Sequence, residues 1–290
     1  MNTLVNGALL GLAYSLIAVG MALILGVAKI FDLVYASYYT LAAYVAVMLI
    51  RWMGPNFPIW LSFIIAGTVA VAFSLATHKF LILPIRKQGT AVMVLTLAVA
   101  MVIQELLIFK EGSEPIYLPP MLKGAISILG VWVPSQKFLV AGISIGIMGS
   151  LWLFLSKTKL GLAIRVTAEQ PEAMQLAGGN IQRICLSAAL LGGMVAAIGG
   201  LFLAPIFPPH PYAWLDLLII AFAVIVLGGL GNIWGCLPAG LILGISEVAV
   251  AINIPFGGII KRSVGLLIIM LVLLFRPMGL LGVQGWEEEA

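Results

Sequence analysis

Residues 3–25 read TLVNGALLGLAYSLIAVGMALIL, and this stretch decides the class of the chain. About 20 predominantly apolar residues in a helix cross the hydrocarbon core of a bilayer. The run has that length without one charged side chain. No Lys or Arg precedes it, and it is longer than the apolar region of a cleavable signal, so it reads as a retained span. Similar runs recur near 33–50, 59–77, 90–109, 138–155, 184–206, 214–230, 235–252 and 264–275. The run at 33–50 is rich in Tyr and Ser and the run at 264–275 is short, so each fits a broken or partly inserted segment as well as a full span. The expected fold is therefore all-α: a polytopic transmembrane helix bundle of eight or nine crossings, with a broken or re-entrant segment near 33–50 as the alternative to a ninth. No composition shift or low-complexity stretch divides residues 1–290, which read as a single membrane domain. The likeness between residues 6–26 and 186–204 is one that Gly-rich apolar helices often share, and it is not counted as a repeat.

Composition excludes the other classes. Of the 290 residues, 62% are hydrophobic and 9% charged, with a mean hydropathy of +1.18. A soluble domain carries about 25% charged residues, and 9% cannot cover a water-facing surface. A soluble enzyme, a disordered chain and a disulfide scaffold are excluded together. Gly supplies 32 of the 290 residues, about 11% against a typical 7%, and small residues let membrane helices approach closely. The formal charge of +4 points to basic loops on the cytoplasmic side rather than to nucleic acid. Cys185 and Cys236 sit in or beside apolar stretches and read as small packing residues.

The loops give an orientation. His78 to Gln88 carries Lys79, Arg86 and Lys87, and Ser156 to Arg183 carries Lys157, Lys159, Arg165 and Arg183. Both segments read as cytoplasmic, and two spans separate them. By alternation, Lys110–Lys137, Pro205–Leu215 and Asn253–Ser263 fall outside, while Gly231–Gly235 and the tail with Glu287–Glu289 fall inside. Lys261 and Arg262 then lie on the outer side, against the rule.

No motif for catalysis is present: no phosphate-binding P-loop, HExxH, serine elbow or Cys/His cluster. His78 and His210 fall on opposite sides of this topology. An ionisable residue within a span carries a penalty of roughly 2.5–3.5 kcal/mol at the centre and calls for a reason. Glu247 lies inside the run at 235–252, where it fits either structural pairing with a buried donor or a role in a transport path. Glu105, beside Gln104, reads as reaching the interface. Asp32 and Asp216 stand at the starts of runs, where helix amides favour an anion.

Two stretches hold further candidates. Tyr35, Ser37, Tyr38, Tyr39, Thr40 and Tyr44 form either an aromatic belt at a helix end or one polar wall of a solute path. In the second, Thr167, Glu169, Pro171 and Glu172 read as a helix start, followed by Ala173, Met174, Leu176 and Ala177. Gly178-Gly179-Asn180 reads as a left-handed stop. A capped helix too short to cross, with an apolar stripe, either packs on its own bundle or enters a groove on a cytoplasmic partner.

These pieces resemble the permease subunits of branched-chain amino acid ABC importers, on the side of the family named for LivH, over nearly the whole chain. Asn6-Gly7 through Gly11, Tyr14 to Gly20, and Gly26 match the family's first helix in order and spacing. Arg165 to Glu169, Ala173, and Leu176 to Asn180 resemble its coupling loop. Leu227 to Gly235 with Gly240, Gly244 and Glu247 is similar to its late glycine-rich helices, and Arg276 to Gly282 to its C-terminal signature. The resemblance implies a multi-pass permease of a prokaryotic cell membrane, without its own ATP site. It implies a second permease subunit (a LivM-like chain or an identical copy), cytoplasmic ATPases that bind ATP and Mg, an extracellular solute-binding protein and membrane lipid. It places coupling to the ATPase on Arg165, Glu169, Ala173, Gly178, Gly179 and Asn180. Tyr14, Asp32, Tyr35, Tyr38 and Glu247 are the candidates for the solute path. One segment departs from the family: Asp32-Leu33-Val34-Tyr35-Ala36 stands where an Asn-Phe-Ala-His-Gly-like sequence is usual. That leaves urea, amides, aromatic acids, sugars and nucleosides beside amino acids as solutes. A rival class is an ion-coupled secondary transporter using Glu247 or Glu105; a membrane-embedded enzyme lacks any acid/base constellation in the sequence.

Overall fold

The computed structural model describes residues 2–54, 57–86, 88–128, 131–253, 265–272, 274, 276 and 279–281. Helix α1 (Asn2–Ala28) is unbroken despite its glycines, because backbone polar groups away from water must bond within the segment. Lys29, with φ +53, ends it. A connection over residues 29–34 leads to α2 (Tyr35–Met53), which closes on Gly54. Helix α3 (Ile59–Ala76) continues through a π-helical turn, Thr77–Ile82, into α4 (Leu83–Ile85). Pro84 has no N–H to give and crowds the carbonyl four residues before it, and the wider turn stands just ahead of it. Then follow α5 (Gly89–Glu111), strands β1 (Ala125–Ile128) and β2 (Val131–Pro134), and α6 (Ser135–Lys157). Two short helices, α7 (Lys159–Glu169) and α8 (Pro171–Leu176), precede α9 (Ile181–Leu203). Helices α10 (Ala213–Gly228) and α11 (Cys236–Asn253) follow, and residues 265–272 are helical.

Among the described residues, six helices are long and apolar enough to cross a membrane: Asn2–Ala28, Ile59–Ile85, Gly89–Glu111, Ser135–Lys157, Ile181–Leu203 and Ile233–Asn253. The chain is an all-helical polytopic bundle. Helix α10 is shorter, at 16 residues. Helix α2 has the length, at 19 residues, but its tyrosines lower its hydropathy. It is one continuous helix, and the break near 33–50 lies before it, at residues 29–34.

Contacts group the chain into two compact units. Unit 1 comprises Met1–Ala22, Leu122–Gly149 and Ile219–Ala290. Its axis is a seam between α1 and α11, where Gly7 and Gly11 face the backbone of Ile245, Gly240 and Leu241. A Cβ on Gly11 would lie 2.7 Å from the Gly240 oxygen, so nothing larger than glycine fits. The β1–β2 hairpin also belongs here, pairing Ala125 with Pro134 and Ile128 with Val131. Exposure alternates along β2, with Trp132 and Pro134 exposed and Val133 buried, while residues 125–127 of β1 are all exposed; the sequence shows this element only as part of a loop.

Unit 2 comprises Leu23–Met121 and Ser150–Leu218. Helices α2, α3 and α9 pack on one another, with Gly200 against the Tyr39 backbone and Gly193 against the Ser74 side chain. Helix α2 is buried at Tyr35, Tyr38, Tyr39 and Tyr44, which argues against the aromatic belt, one of the two readings of these tyrosines. Phe63 stacks edge-on with Phe202 at 5.4 Å, while the Ser74 hydroxyl donates to the Ala189 carbonyl at 3.4 Å. Helices α3 and α9 therefore run antiparallel, and Arg86, after α4, shares an end of the unit with the basic residues before α9. At the other end Arg51 pairs with Glu111, and the Ile116 amide donates to the Pro209 carbonyl at 2.9 Å. One loop boundary is corrected: His78 to Ile85 is helical rather than part of a loop. Lys87, Lys261, Arg262 and Glu287–Glu289, on which parts of the topology reading rest, lie outside the described residues.

Candidate functional site

The candidate path residues fall into two buried sets. In unit 1, the Tyr14 hydroxyl on α1 donates to Oε2 of Glu247 on α11 at 2.7 Å. Glu247 is 5% exposed. The close approach of the two helices allows this contact, because Gly7, Gly11, Gly240 and Gly244 bring their backbones together. Next to the pair, the Ser15 hydroxyl donates to the Gly11 carbonyl at 2.8 Å and reaches the Leu237 carbonyl at 3.3 Å. Residue Gly265 also borders the carboxylate: a Cβ there would lie 3.3 Å from Oε1 of Glu247.

In unit 2, Asp32, Tyr35 and Tyr38 gather where the connection enters α2, and all three are buried. Asp32 Oδ1 accepts from the Val34 amide at 3.1 Å, a local turn of the kind short acidic side chains make. Its Oδ2 lies 3.3 Å from Nε2 of His78, and the other imidazole nitrogen, Nδ1, lies 2.9 Å from the Ser74 carbonyl. The Leu33 amide donates to the Thr96 hydroxyl of α5 at 3.3 Å. The Tyr38 ring stands 6.5 Å from the imidazole and 6.3 Å from Phe73. The connection is thus tied to α3 and α5 by side chains rather than by helix packing.

The coupling candidates lie on the short helices. Thr158 caps α7, its hydroxyl accepting from the Gly161 amide at 2.9 Å. Thr167 is buried inside α7 with its hydroxyl on the Ala163 carbonyl at 2.7 Å. It does not start α8, and neither does Glu169, the last residue of α7. The N-cap of α8 is Gln170, without a side-chain cap bond, and Pro171 fills the first turn. The stop is as the sequence implies. Gly178 has φ +80, its amide bonds to the Gln175 carbonyl and the Gly179 amide to the Met174 carbonyl, each at 2.9 Å. That pair of bonds is a Schellman closure. Asn180 caps the next helix instead, Oδ1 accepting from the Arg183 amide at 3.2 Å. No residue of α8 is buried, and Leu176 is 91% exposed. Arg165, Glu169, Ala173 and Gly178 are exposed around it.

Comparison with known proteins decides the family. Residues 3–276 match the family model described as "Branched-chain amino acid transport system / permease component". The chain belongs to this permease family. It is 28% identical, over 97% of its length and 95% of the relative's, to the high-affinity branched-chain amino acid transport system permease protein BraD of Pseudomonas aeruginosa. It is 26% identical, over 96% of its length and 94% of the relative's, to the permease LivH of Escherichia coli. Among solved structures, PsaBC from Streptococcus pneumoniae in complex with Fab aligns with a TM-score of 0.51 at 11% identity, covering 94% of this chain and 91% of that one. That likeness concerns the fold alone. The chain is accordingly a multi-pass membrane permease of the ABC type, a transport component and not a catalytic one.

Within this permease, sequence reasoning missed His78, Ser74 and Thr96. The apolar run at 59–77 ends just before His78, and a histidine there reads as the end of a span. The available signal was the apolar run that resumes at Phe80-Leu81-Ile82-Leu83, which puts His78 inside one longer helix. The other charged candidates lie elsewhere: Glu105 is exposed and accepts from Gln104 at 3.1 Å, and Asp216, in the first turn of α10, stands 3.7 Å from His210. Cys185 and Cys236 are free and buried.

Proposed function

We propose that this permease is the solute-conducting subunit of an importer for branched-chain amino acids or amino acids of similar size, driven by cytoplasmic ATPases. The supporting observation is α8, a six-residue helix with no buried side chain that presents Ala173 and Leu176 to solvent, with Ala177 exposed at its C-terminal cap. A short capped helix with an exposed apolar face is suited to a groove on a partner. Arg165 and Glu169 supply charges of both signs beside it. Nucleotide binding can shift a conformational equilibrium only through differential contacts with its two states, and α8 is where such contacts reach this chain. ATP and Mg then belong to the ATPase. A second permease subunit, identical or LivM-like, completes the membrane unit, and an extracellular binding protein delivers the solute. The near full-length matches to BraD and LivH support the solute class.

Leu176→Asp tests the coupling. With the partner ATPase co-expressed, uptake of labelled leucine is expected to fall by at least about tenfold and the ATPase to be lost on purification, while the melting temperature of the permease stays within about 1 °C, as for an exposed substitution. Undiminished uptake in this variant would discard the assignment of α8. Competition by isoleucine and valine, but not by urea or nucleosides, is the result expected for the solute.

A further inference from the structure

The protonation of His78 follows from geometry. Its Nδ1 lies 2.9 Å from the Ser74 carbonyl, and a carbonyl can only accept, so Nδ1 carries a hydrogen. Nε2 then bears a hydrogen only in the imidazolium form. It faces Oδ2 of Asp32 at 3.3 Å, an ion-pair distance. Both atoms are buried, and neither makes a well-aligned hydrogen bond to any other described group. Asp32 belongs to the connection between α1 and α2, whereas His78 belongs to the π-helical turn that follows α3.

We propose that Asp32 and His78 share one proton, and that this proton works as a latch holding the α1–α2 connection against α3. With the proton present, the pair is either carboxylate and imidazolium or carboxyl and imidazole, and both forms attract. Without it, an ionised carboxylate and an imidazole lone pair face each other in a buried site, and the carboxylate has lost its counter-charge. The surrounding groups are Tyr38 from α2, the Thr96 hydroxyl from α5, already bonded to the Leu33 amide and the Val92 carbonyl, and Ala189 and Gly193 from α9 beside Ser74. Lys79 of the same turn is exposed and lies over the Phe80 ring at 5.4 Å, and Lys29 stands half-buried on the connection. None of these lies between Nε2 and Oδ2. The latch therefore contributes stability where the pair holds one proton and loses it as the pH rises and that proton leaves. The Leu33–Thr96 bond ties the same connection to α5.

The inference stands on the pair itself and not on the transport reading, so its test needs no transport. In the purified full chain, the melting temperature is measured at about pH 6 and about pH 9, together with amide exchange of residues 29–34 corrected for intrinsic rate. Wild type is expected to lose several degrees, and the connection at least about tenfold in protection, at the higher pH. Asp32→Asn gives neutral Nε2 an amide donor at both pH values, and the step should vanish. His78→Gln does the same for the ionised carboxylate and should also remove it. A wild-type connection protected equally at both pH values, or a step of the same size surviving in either variant, overturns the latch.

Discussion

Two buried carboxylates, one in each unit, meet different partners. Glu247 receives a hydrogen bond from a phenol, Tyr14, at 2.7 Å. Asp32 faces an imidazole, His78, at 3.3 Å. A phenol keeps its proton throughout the physiological range, whereas an imidazole changes charge near neutrality. The Tyr14–Glu247 contact is thus a fixed strut, and the proposal for Asp32 and His78 makes theirs a contact that depends on a proton. The seams around them are both closed by glycine. In unit 1, glycine on α1 meets glycine and backbone on α11, and nothing there can move aside. In unit 2, Gly200 likewise meets backbone, that of Tyr39, while Gly193 meets Ser74 at its Oγ, which can rotate, and at its Cβ, which cannot.

Substitutions can separate these two designs. The largest effect is expected at Gly244→Leu, because any Cβ there runs into the Gly11 backbone. Overpacking of this kind costs about 3 kcal/mol or more, and the yield of monodisperse protein on size exclusion should collapse. Tyr14→Phe comes next. It deletes one hydrogen bond to a buried carboxylate, worth about 1.5–3 kcal/mol, with the loss in melting temperature equal at low and high pH. Gly193→Ala should cost less, about 1–3 kcal/mol, because Ser74 Oγ can turn away while its Cβ, 2.8 Å from the added methyl, calls for a small helix shift; a loss as large as that at Gly244 would mean that α3 cannot yield. Gly178→Ala places a side chain at φ +80 for about 1 kcal/mol. That loss is confined to α8, so uptake should fall while global melting hardly moves. Smallest is Glu247→Gln, which keeps an acceptor for Tyr14; a change under about 1 kcal/mol in melting and near-normal uptake are expected.

Much of this architecture was legible because it is local. Residues 3–25 had to be a helix wherever they packed, since a backbone without water bonds only to itself. The Gly178-Gly179 stop was legible because left-handed geometry is a property of a few neighbouring residues. The start of α8 was less so: Thr167 looks like a cap in sequence, yet it lies inside α7, where Thr158 already performs that role. The β1–β2 hairpin was missed because two four-residue strands give too short an alternation to stand out from a loop. Helix α2 stood between two readings for a different reason. Its tyrosines suggested a membrane interface, but burial against α3 and α9 lets the bundle rather than lipid surround them.

The sequence by itself determined that the chain lives in a membrane, where most of its spans lie and which short helix it offers at a basic end. Those follow from transfer free energy and from backbone geometry within a few residues. Only the tertiary structure decided that Tyr14 meets Glu247 and that Asp32 meets His78, because each pair joins elements far apart in sequence. Their distances depend on how closely glycine lets two helices approach, and on the π-helical turn that holds His78 within reach of Asp32.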